Sequence, residues 1–348
     1  MTRHRLRHAI AGLMLCAASL PFHAAPASAD DGFYKGKTIT IICGFTVGGG
    51  YDAYARLMAR HIGDLIPGKP SIVVQNMEGA GSVRASNYVY ANAPRDGTVI
   101  AAVNQNMPMY QLLGGKAAQF EAGKLQWIGS LISSNGAIYT WHTSATKTFE
   151  DAKRRETPLG GAGTTSDSHI YPTLLNKLAG SRFKVINGYP GGTRQIHLAM
   201  ERGEVEGRSG GGTIPSLLAN NKDWLDDKKL NFLVQIGLAP EPEMGNAPLM
   251  IDLVKGEDER RILEMVTLPT VLGYAYWLAP GVPEDRIATL RKAFDAMLQA
   301  PSFRAEVEKT GVIVRPQSGK SLATLVERAA AVPKGVRERA AQLLEWKD

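Results

Sequence analysis

The sequence predicts an α/β fold divided between two lobes, and three observations predict it. Short β-rich runs alternate with helical runs along nearly the whole chain. A strand, a glycine-rich turn and a helix occur over 38–62 and again over 157–180. The chain is also long enough for two cores. Alternating strands and helices imply parallel sheets covered by helices. Two strand-turn-helix units suggest two lobes, each aiming a turn at a shared cleft.

The first 29 residues are expected to be removed. Arg3, Arg5 and Arg7 precede an apolar run over 9–20, and Ala27-Ser28-Ala29 forms a small-residue cleavage site. Such a run is too short to span a bilayer, so the segment reads as an export signal cut after Ala29. Leu15 before Cys16 is too bulky for lipoprotein cleavage, and the arginines are never adjacent, which disfavours lipidation and twin-arginine export. The leader carries three arginines and no acids, so the formal net charge falls from +7 to +4. That mild excess predicts no nucleic-acid partner. Cys43 is then the single cysteine, which removes any disulfide framework and reads as a core residue. No later apolar stretch reaches transmembrane length, and a soluble mature protein is expected.

Strands are predicted over 38–45, 71–76, 98–104, 125–131, 137–142, 183–189, 230–237, 272–278 and 312–315. Helices are predicted over 51–66, 82–91, 149–155, 167–178, 193–202, 258–265, 283–299, 302–310, 319–331 and 334–346. The clearest helix follows the triple glycine: Tyr54, Leu57, Met58, His61, Ile62, Leu65 and Ile66 form one stripe at helical spacing. His61 in that stripe reads as a packed or boundary residue. Pro283 with its following acids, and the break at Pro301, are helix punctuation.

A glycine turn that opens a helix leaves backbone N–H groups unpaired where the helix dipole adds positive charge. An anion there gains about 0.3–1 kcal/mol from the dipole alone. Glycine lets a ligand approach without meeting a Cβ. A bare turn with no ligand fits a single such unit equally. Nucleotide codes fail: Gly48-Gly49-Gly50-Tyr51-Asp52 is not G-x-G-x-x-G, and "GGAGTTSDSH" lacks the P-loop lysine. Ser166, Asp167, Ser168 and His169 are triad residue types, yet four consecutive residues do not supply triad geometry. His142, His169 and His197 are isolated, with no metal-ligand spacing. No catalytic residue, metal or cofactor is predicted.

"GFTVGGGYDAYARLMARHI" resembles the first strand-turn-helix of the Bug, or TctC-type, receptors of tripartite tricarboxylate transporters, where Pro-Phe-x-x-Gly-Gly-x-x-Asp precedes Ala-Arg. "IVVQNMEGAGSVRASNYVYANAPRDGTVI", "LGGAGTTSDSH", "INGYPGGTRQIHLAMERGEVE" and "GYAYWLAPGVPEDRIATLRKAFDAML" resemble later blocks of that family in the expected order. The resemblance implies a two-lobe periplasmic binding protein of type II, a Venus flytrap crossed twice by the chain. Lobe 1 is expected over 30–142 plus 272–348 and lobe 2 over 143–271, with crossings near His142 and over 273–279. It further implies a monomeric receptor, not an enzyme, that captures a small organic carboxylate and delivers it to membrane permease subunits. A ligand sensor feeding a receptor kinase and a secreted hydrolase stand as alternatives.

Carried over position by position, the resemblance places Phe45, Thr46, Gly48, Gly49, Gly50 and Asp52 on the first ligand turn, and Gly79, Ala80 and Gly81 on the second. Thr164, Thr165, Ser166 and His169 fall on the lobe 2 turn, and Tyr189, Gly191 and Gly192 on a further block. The Thr165 and Ser166 hydroxyls suit either a carboxylate or the cap of their own helix. Asp52 would oppose an anionic ligand, so it is expected to accept bonds from its own helix N-terminus or from a water. The chain departs from the family at Gly44, where Pro is usual, and at Pro190, where a Lys is usual. "GEVEGRSGGG" places Arg208 and Ser209 where apolar residues are usual. Arg208 suits either a bidentate grip on a ligand carboxylate or a solvated surface position. The proline-rich "LAPEPEMGNAPLMIDLV" reads as a loop of its subgroup.

Overall fold

Two mixed sheets organise the chain. The computed structural model describes residues 32–163, 166–189 and 192–345. The export leader and its cleavage site lie outside the described residues, as do Thr164, Thr165, Pro190 and Gly191. The strands are β1 (Thr38–Cys43), β2 (Ser71–Asn76), β3 (Val99–Ala102), β4 (Gln126–Ser130), β5 (Gly136–Trp141), β6 (Thr157–Gly161), β7 (Phe183–Asn187), β8 (Gly207–Gly210), β9 (Leu230–Ile236), β10 (Ala275–Leu278) and β11 (Gln317–Ser318). The helices are α1 (Gly50–Ile62), α2 (Val83–Ala91), α3 (Met107–Leu112), α4 (Phe149–Arg154), α5 (Asp167–Ala179), α6 (Thr193–Glu201), α7 (Thr213–Asn220), α8 (Lys222–Asp226), α9 (Glu257–Leu272), α10 (Glu284–Gln299), α11 (Pro301–Thr310), α12 (Gly319–Ala330) and α13 (Lys334–Leu343). No described helix is long and apolar enough to cross a membrane.

The first sheet runs β11-β4-β10-β3-β1-β2 and the second β7-β6-β8-β5-β9. Pairing is parallel for β1 with β2 and β3, and for β6 with β7 and β8. β10 and β5 enter antiparallel, so each sheet is mixed and not purely parallel as the alternation alone implies. β1 shows why its residues make a central strand. Ile39 and Ile41 pack with Met58 and Ile62 of α1 and Phe294 of α10, while Ile42 faces the other core. Each such side chain removed from water contributes about 1.5–3 kcal/mol. Cys43 is buried and free, as its place in an apolar strand implies.

β5 pairs with β8 and β9, so the chain leaves the first sheet between Ser130 and Gly136 and not near His142. The return lies between the end of α9 and β10. The two crossing segments touch: the Tyr274 amide donates to the Ile132 carbonyl (3.2 Å), the Leu131 amide to the Tyr274 carbonyl (3.3 Å) and the Ser134 amide to the Thr270 carbonyl (3.3 Å). Gly273 sits between them at φ 50°, where any Cβ would run into the Ile132 carbonyl oxygen. Positive φ and the close approach together demand glycine. From the proline-rich loop, Glu241 accepts from the Asn135 amide (2.6 Å), Ser134 Oγ (3.2 Å) and Arg315 (3.0 Å), which ties that loop to the crossing.

Other boundaries moved. The strand expected over 312–315 is a single bridge from Ile132 to Arg315, with β11 following it. The helix expected over 258–265 continues to Leu272. Strand β8 and helices α3, α7 and α8 lie outside the predicted elements, and β6 is anticipated only as the opening of the strand-turn-helix unit over 157–180; "TPLGG" and "GRSG" carry few β-branched or aromatic residues, and neighbouring strands hold them in place.

Candidate ligand-binding cleft

In the first lobe, the turn after β1 closes on itself. The buried Asp52 carboxylate accepts from the Gly48 amide (2.9 Å), Arg56 Nε (2.9 Å) and Asn76 Nδ2 (2.9 Å). Asn76 also donates to the Phe45 carbonyl (2.8 Å), and its Oδ1 accepts from Arg56 (3.1 Å). The Arg56 hydrogen bond, then the Gly48 amide and Asn76, outweigh burial and hold the Asp52 pKa down to about 2. A carboxylate with these partners fixes the turn to the end of β2. Next to it, Ala80 and Ser82 have φ of 45° and 85°, strain of a kind that clusters at functional sites. Ser82 Oγ donates to the Gly44 carbonyl (3.0 Å) and accepts from the Asn104 amide (3.2 Å), which joins the ends of β1 and β3.

Aromatic rings wall this side. Phe45 stacks on Tyr51 at 4.2 Å, Tyr51 meets Tyr274 at 4.2 Å, and Tyr54 meets Tyr274 edge-on at 4.9 Å. The Gln105 amide donates to Tyr51 Oη (2.9 Å) and Tyr54 donates to the Ile313 carbonyl (2.7 Å), so the rings are fixed by polar ends as well as by packing.

In the second lobe, α5 starts beyond β6, α6 beyond β7 and α7 beyond β8. None of the three, nor α1 in the first lobe, has a side-chain cap bond at its N-terminus. Among the described helices such caps occur on α4 and α12 alone, from Thr148 and Ser318, so the open start is shared by most helices and it is position at the cleft that sets α5 and α7 apart. Ser166 does not cap α5: its hydroxyl donates to the Gly163 carbonyl (2.7 Å) and pairs with Ser168 Oγ (2.6 Å). Helix starts left open at the ends of neighbouring parallel strands are anion-friendly.

Arg208 lies behind them. It sits on β8 between Tyr139 of β5 and Gly160 of β6, 7 % exposed. Nη1 donates to Tyr139 Oη (3.3 Å), while Nε has no partner. Among the described residues no carboxylate stands within ion-pair distance of it. Tyr139 Oη is 2.7 Å from His197 Nε2, and His197 Nδ1 is 3.1 Å from Asn221 Oδ1. With Asn221 Oδ1 accepting from Nδ1–H, Nε2 accepts from Tyr139, whose oxygen accepts from Arg208. Burial, then the Arg208 charge, lowers the His197 pKa to about 4, so the ring is neutral. The lobe therefore holds a buried cation that is hydrogen-bonded to a neutral hydroxyl, with the Asp167 carboxyl within electrostatic reach but not paired to it.

Between the lobes lies a cleft of about 440 Å³. Tyr54, Gln105, Tyr274 and 311–313 line it from the first sheet's side, and Asp167, Gly211, Gly212 and Ser216 from the second. Ile132, Ser134, Thr270 and Gly273 of the crossings also line it. Asp167 opens α5; burial raises its pKa, against the Gly211 amide and the Arg208 charge, which lower it.

None of the predicted residues that the structure describes is among those lining this space. Phe45 is half-buried in the aromatic stack, and Thr46 and Gly48 are exposed at the turn. Gly49 and Gly50 begin α1, with Tyr274 Oη 2.7 Å from where a Gly50 Cβ would be. Gly79, Ala80 and Gly81 are exposed beside that turn. His169 Nδ1 is 3.4 Å from Asn187 Nδ2, and burial lowers its pKa. Tyr189 packs against the apolar cluster that holds Ile196 and Met200 of α6, its amide donating to the Gly161 carbonyl (3.3 Å), and Gly192 begins α6. Thr164, Thr165 and Gly191 lie outside the described residues. The sequence reading missed Tyr54, Tyr274, Gln105, Asp167, Gly211 and Gly212 as cleft residues. One signal was available: "RSGGGT" repeats the glycine run before a helix.

No protein-family model matches the chain. It is 24% identical over 316 residues, 87% of this chain and 88% of the relative, to a Cupriavidus necator protein described as "UPF0065 protein in gbd 5'region". Among solved structures it is similar to a TctC solute-binding protein from Polaromonas, with TM-score 0.66 and 18% identity, covering 88% of this chain and 99% of that one. It is also similar to MatC from Rhodopseudomonas palustris with bound malate, with TM-score 0.53 and 19% identity, covering 88% and 99%. The fold is that of a two-lobe periplasmic solute-binding protein. More narrowly it is the fold of the TctC type, which bears out the resemblance carried by the sequence motifs.

Proposed function

We propose that this chain is a periplasmic receptor that captures a small organic carboxylate by closing its lobes and delivers it, as a monomer, to the membrane permease of a tripartite tricarboxylate transporter. The observation that carries this reading is the interlobe cleft, onto which the N-termini of α5 and α7 open without side-chain caps. The size suits a small acid. Malate in a protein of the same fold supports the ligand class. The touching crossing segments at Ile132 and Gly273 serve as the hinge, and the ligand favours the closed form by its greater affinity for it. Turn residues 45–50 and 79–81 offer backbone to the ligand, and Asp52 holds the first turn in shape. Binding rather than turnover fits the geometry, because the Ser166 hydroxyl pairs with the Gly163 carbonyl and Ser168 Oγ while the His169 ring faces Asn187.

A thermal-shift screen against organic acids tests the reading. A ligand that binds only the folded chain at 100 times its Kd stabilises it by about 2.7 kcal/mol. At least one small carboxylate should raise the melting temperature in proportion to the logarithm of its concentration. No shift with any carboxylate, and a shift with a sugar or a metal ion, overturns it.

A further inference from the structure

We propose that Arg208 is the anchor for the ligand's carboxylate on the second lobe and that the ligand carries a hydroxyl or ammonium group on the neighbouring carbon, held by Asp167. This inference rests on the receptor reading above and narrows its ligand class. Three observations converge. The guanidinium is a permanent charge, more than nine-tenths buried, with Nε unpartnered and its other contact a neutral phenol. Tyr139 and His197 cannot neutralise it, because the ring is held unprotonated and the hydroxyl points its hydrogen at that ring.

The second observation is direction. Arg208 and Gly210 lie on one face of β8, and a Cβ at Gly210 would stand 3.0 Å from Arg208 Cζ. The side chain thus folds forward along the strand, over the space the glycine leaves, towards Gly211 and Gly212 at the cleft. There the α7 helix starts uncapped, and α5 starts uncapped one strand away. A planar fork with free donors and two open helix starts fit a carboxylate.

The third is Asp167. It lines the cleft beside Gly211 and forms no ion pair with Arg208, although each lies within the other's electrostatic reach. A second anionic group beside it meets a like charge. A hydroxyl or ammonium meets an acceptor. A ligand with its anion on Arg208 and its donor on Asp167 satisfies both.

Isothermal titration of the full chain with L-malate, L-lactate, L-aspartate and succinate tests this. At least one of the first three should bind, and succinate should bind about tenfold more weakly than the best of them, the loss of one charge-assisted hydrogen bond. Arg208→Gln should weaken that binding by about 30-fold or more, with Arg208→Lys between the two. The unliganded melting temperature of Arg208→Gln should not fall, whereas a structural arginine would lower it. Asp167→Asn should narrow the preference over succinate. Unchanged affinity in Arg208→Gln overturns the anchor while leaving the receptor reading intact, and succinate bound as tightly as the best of the others overturns the role of Asp167. No binding of any of the four, with no thermal response to other carboxylates, overturns both this inference and the receptor reading.

Discussion

The two lobes treat an arginine at the ligand side in opposite ways. In the first, Arg56 is paired with Asp52 and joined to Asn76 and Gly48, so every charge in the turn has a partner within the turn. In the second, Arg208 is more deeply buried, and among the described residues its hydrogen-bond partner is Tyr139 alone. A closed network holds shape; an open one keeps binding capacity unspent. The difference is one of pairing: the first glycine turn is a closed polar network, whereas β8 carries a buried charge that has a neutral hydroxyl beside it.

Acid separates the two networks most strongly. His197 has a pKa lowered from 6.5 to about 4, so below 6.5 the unfolded chain takes up a proton that the folded chain refuses. Its contribution to stability is complete above pH 6.5 and is lost as pH falls towards 4, by ~3 kcal/mol in all. Urea unfolding measured at intervals from pH 7 to pH 4 should show this slope, and His197→Asn should flatten it. An unchanged slope in the variant would mean that the imidazole is not held neutral by Arg208 and burial.

The first lobe responds later and less. Asp52 has a pKa lowered from 3.8 to about 2, so its contribution is present above pH 3.8 and is lost as pH falls through about 2. Screening of the half-exposed Arg56 leaves ~1–2 kcal/mol. Asp52→Asn should cost a similar amount at pH 7 in unfolding experiments. Its ligand affinity should change less than that of Arg208→Gln, since the carboxylate acts on the turn. A larger loss of affinity than of stability would place Asp52 on the ligand instead.

The same contrast explains what was legible in the sequence. The first lobe announces itself because its pieces are local: a β-branched strand, a glycine run, then an apolar stripe from Tyr54 to Ile66. β8 is invisible to that test and β6 shows only through the glycine turn that follows it, because "TPLGG" and "GRSG" are held as strands by pairing with their neighbours. Arg208 was visible as a departure from the family pattern, yet its burial depends on Tyr139, about 70 residues away in sequence, and on Gly210 leaving space. The aromatic wall likewise needs Tyr274 to return from the far end of the chain to Phe45 and Tyr51. The crossing was misplaced by a few residues because "GAIYTW" reads as a strand for either sheet, and only the pairing with β9 decides.

The smallest effect sharpens the comparison furthest, because its sign differs between the lobes. A buried arginine that pairs within the fold destabilises when removed; one that awaits a ligand imposes a desolvation cost that its removal relieves. Arg208→Met keeps much of the aliphatic stem against Tyr139 and deletes the charge, so the unliganded chain should gain up to about 1 kcal/mol at pH 7. Arg56→Met should lose a fraction of a kcal/mol to about 1 kcal/mol, because it leaves Asp52 with neutral donors only. Both follow from urea midpoints measured without ligand. If Arg208→Met unfolds at lower urea than the parent, the Arg208–Tyr139–His197 chain is structural and the asymmetry between the lobes disappears.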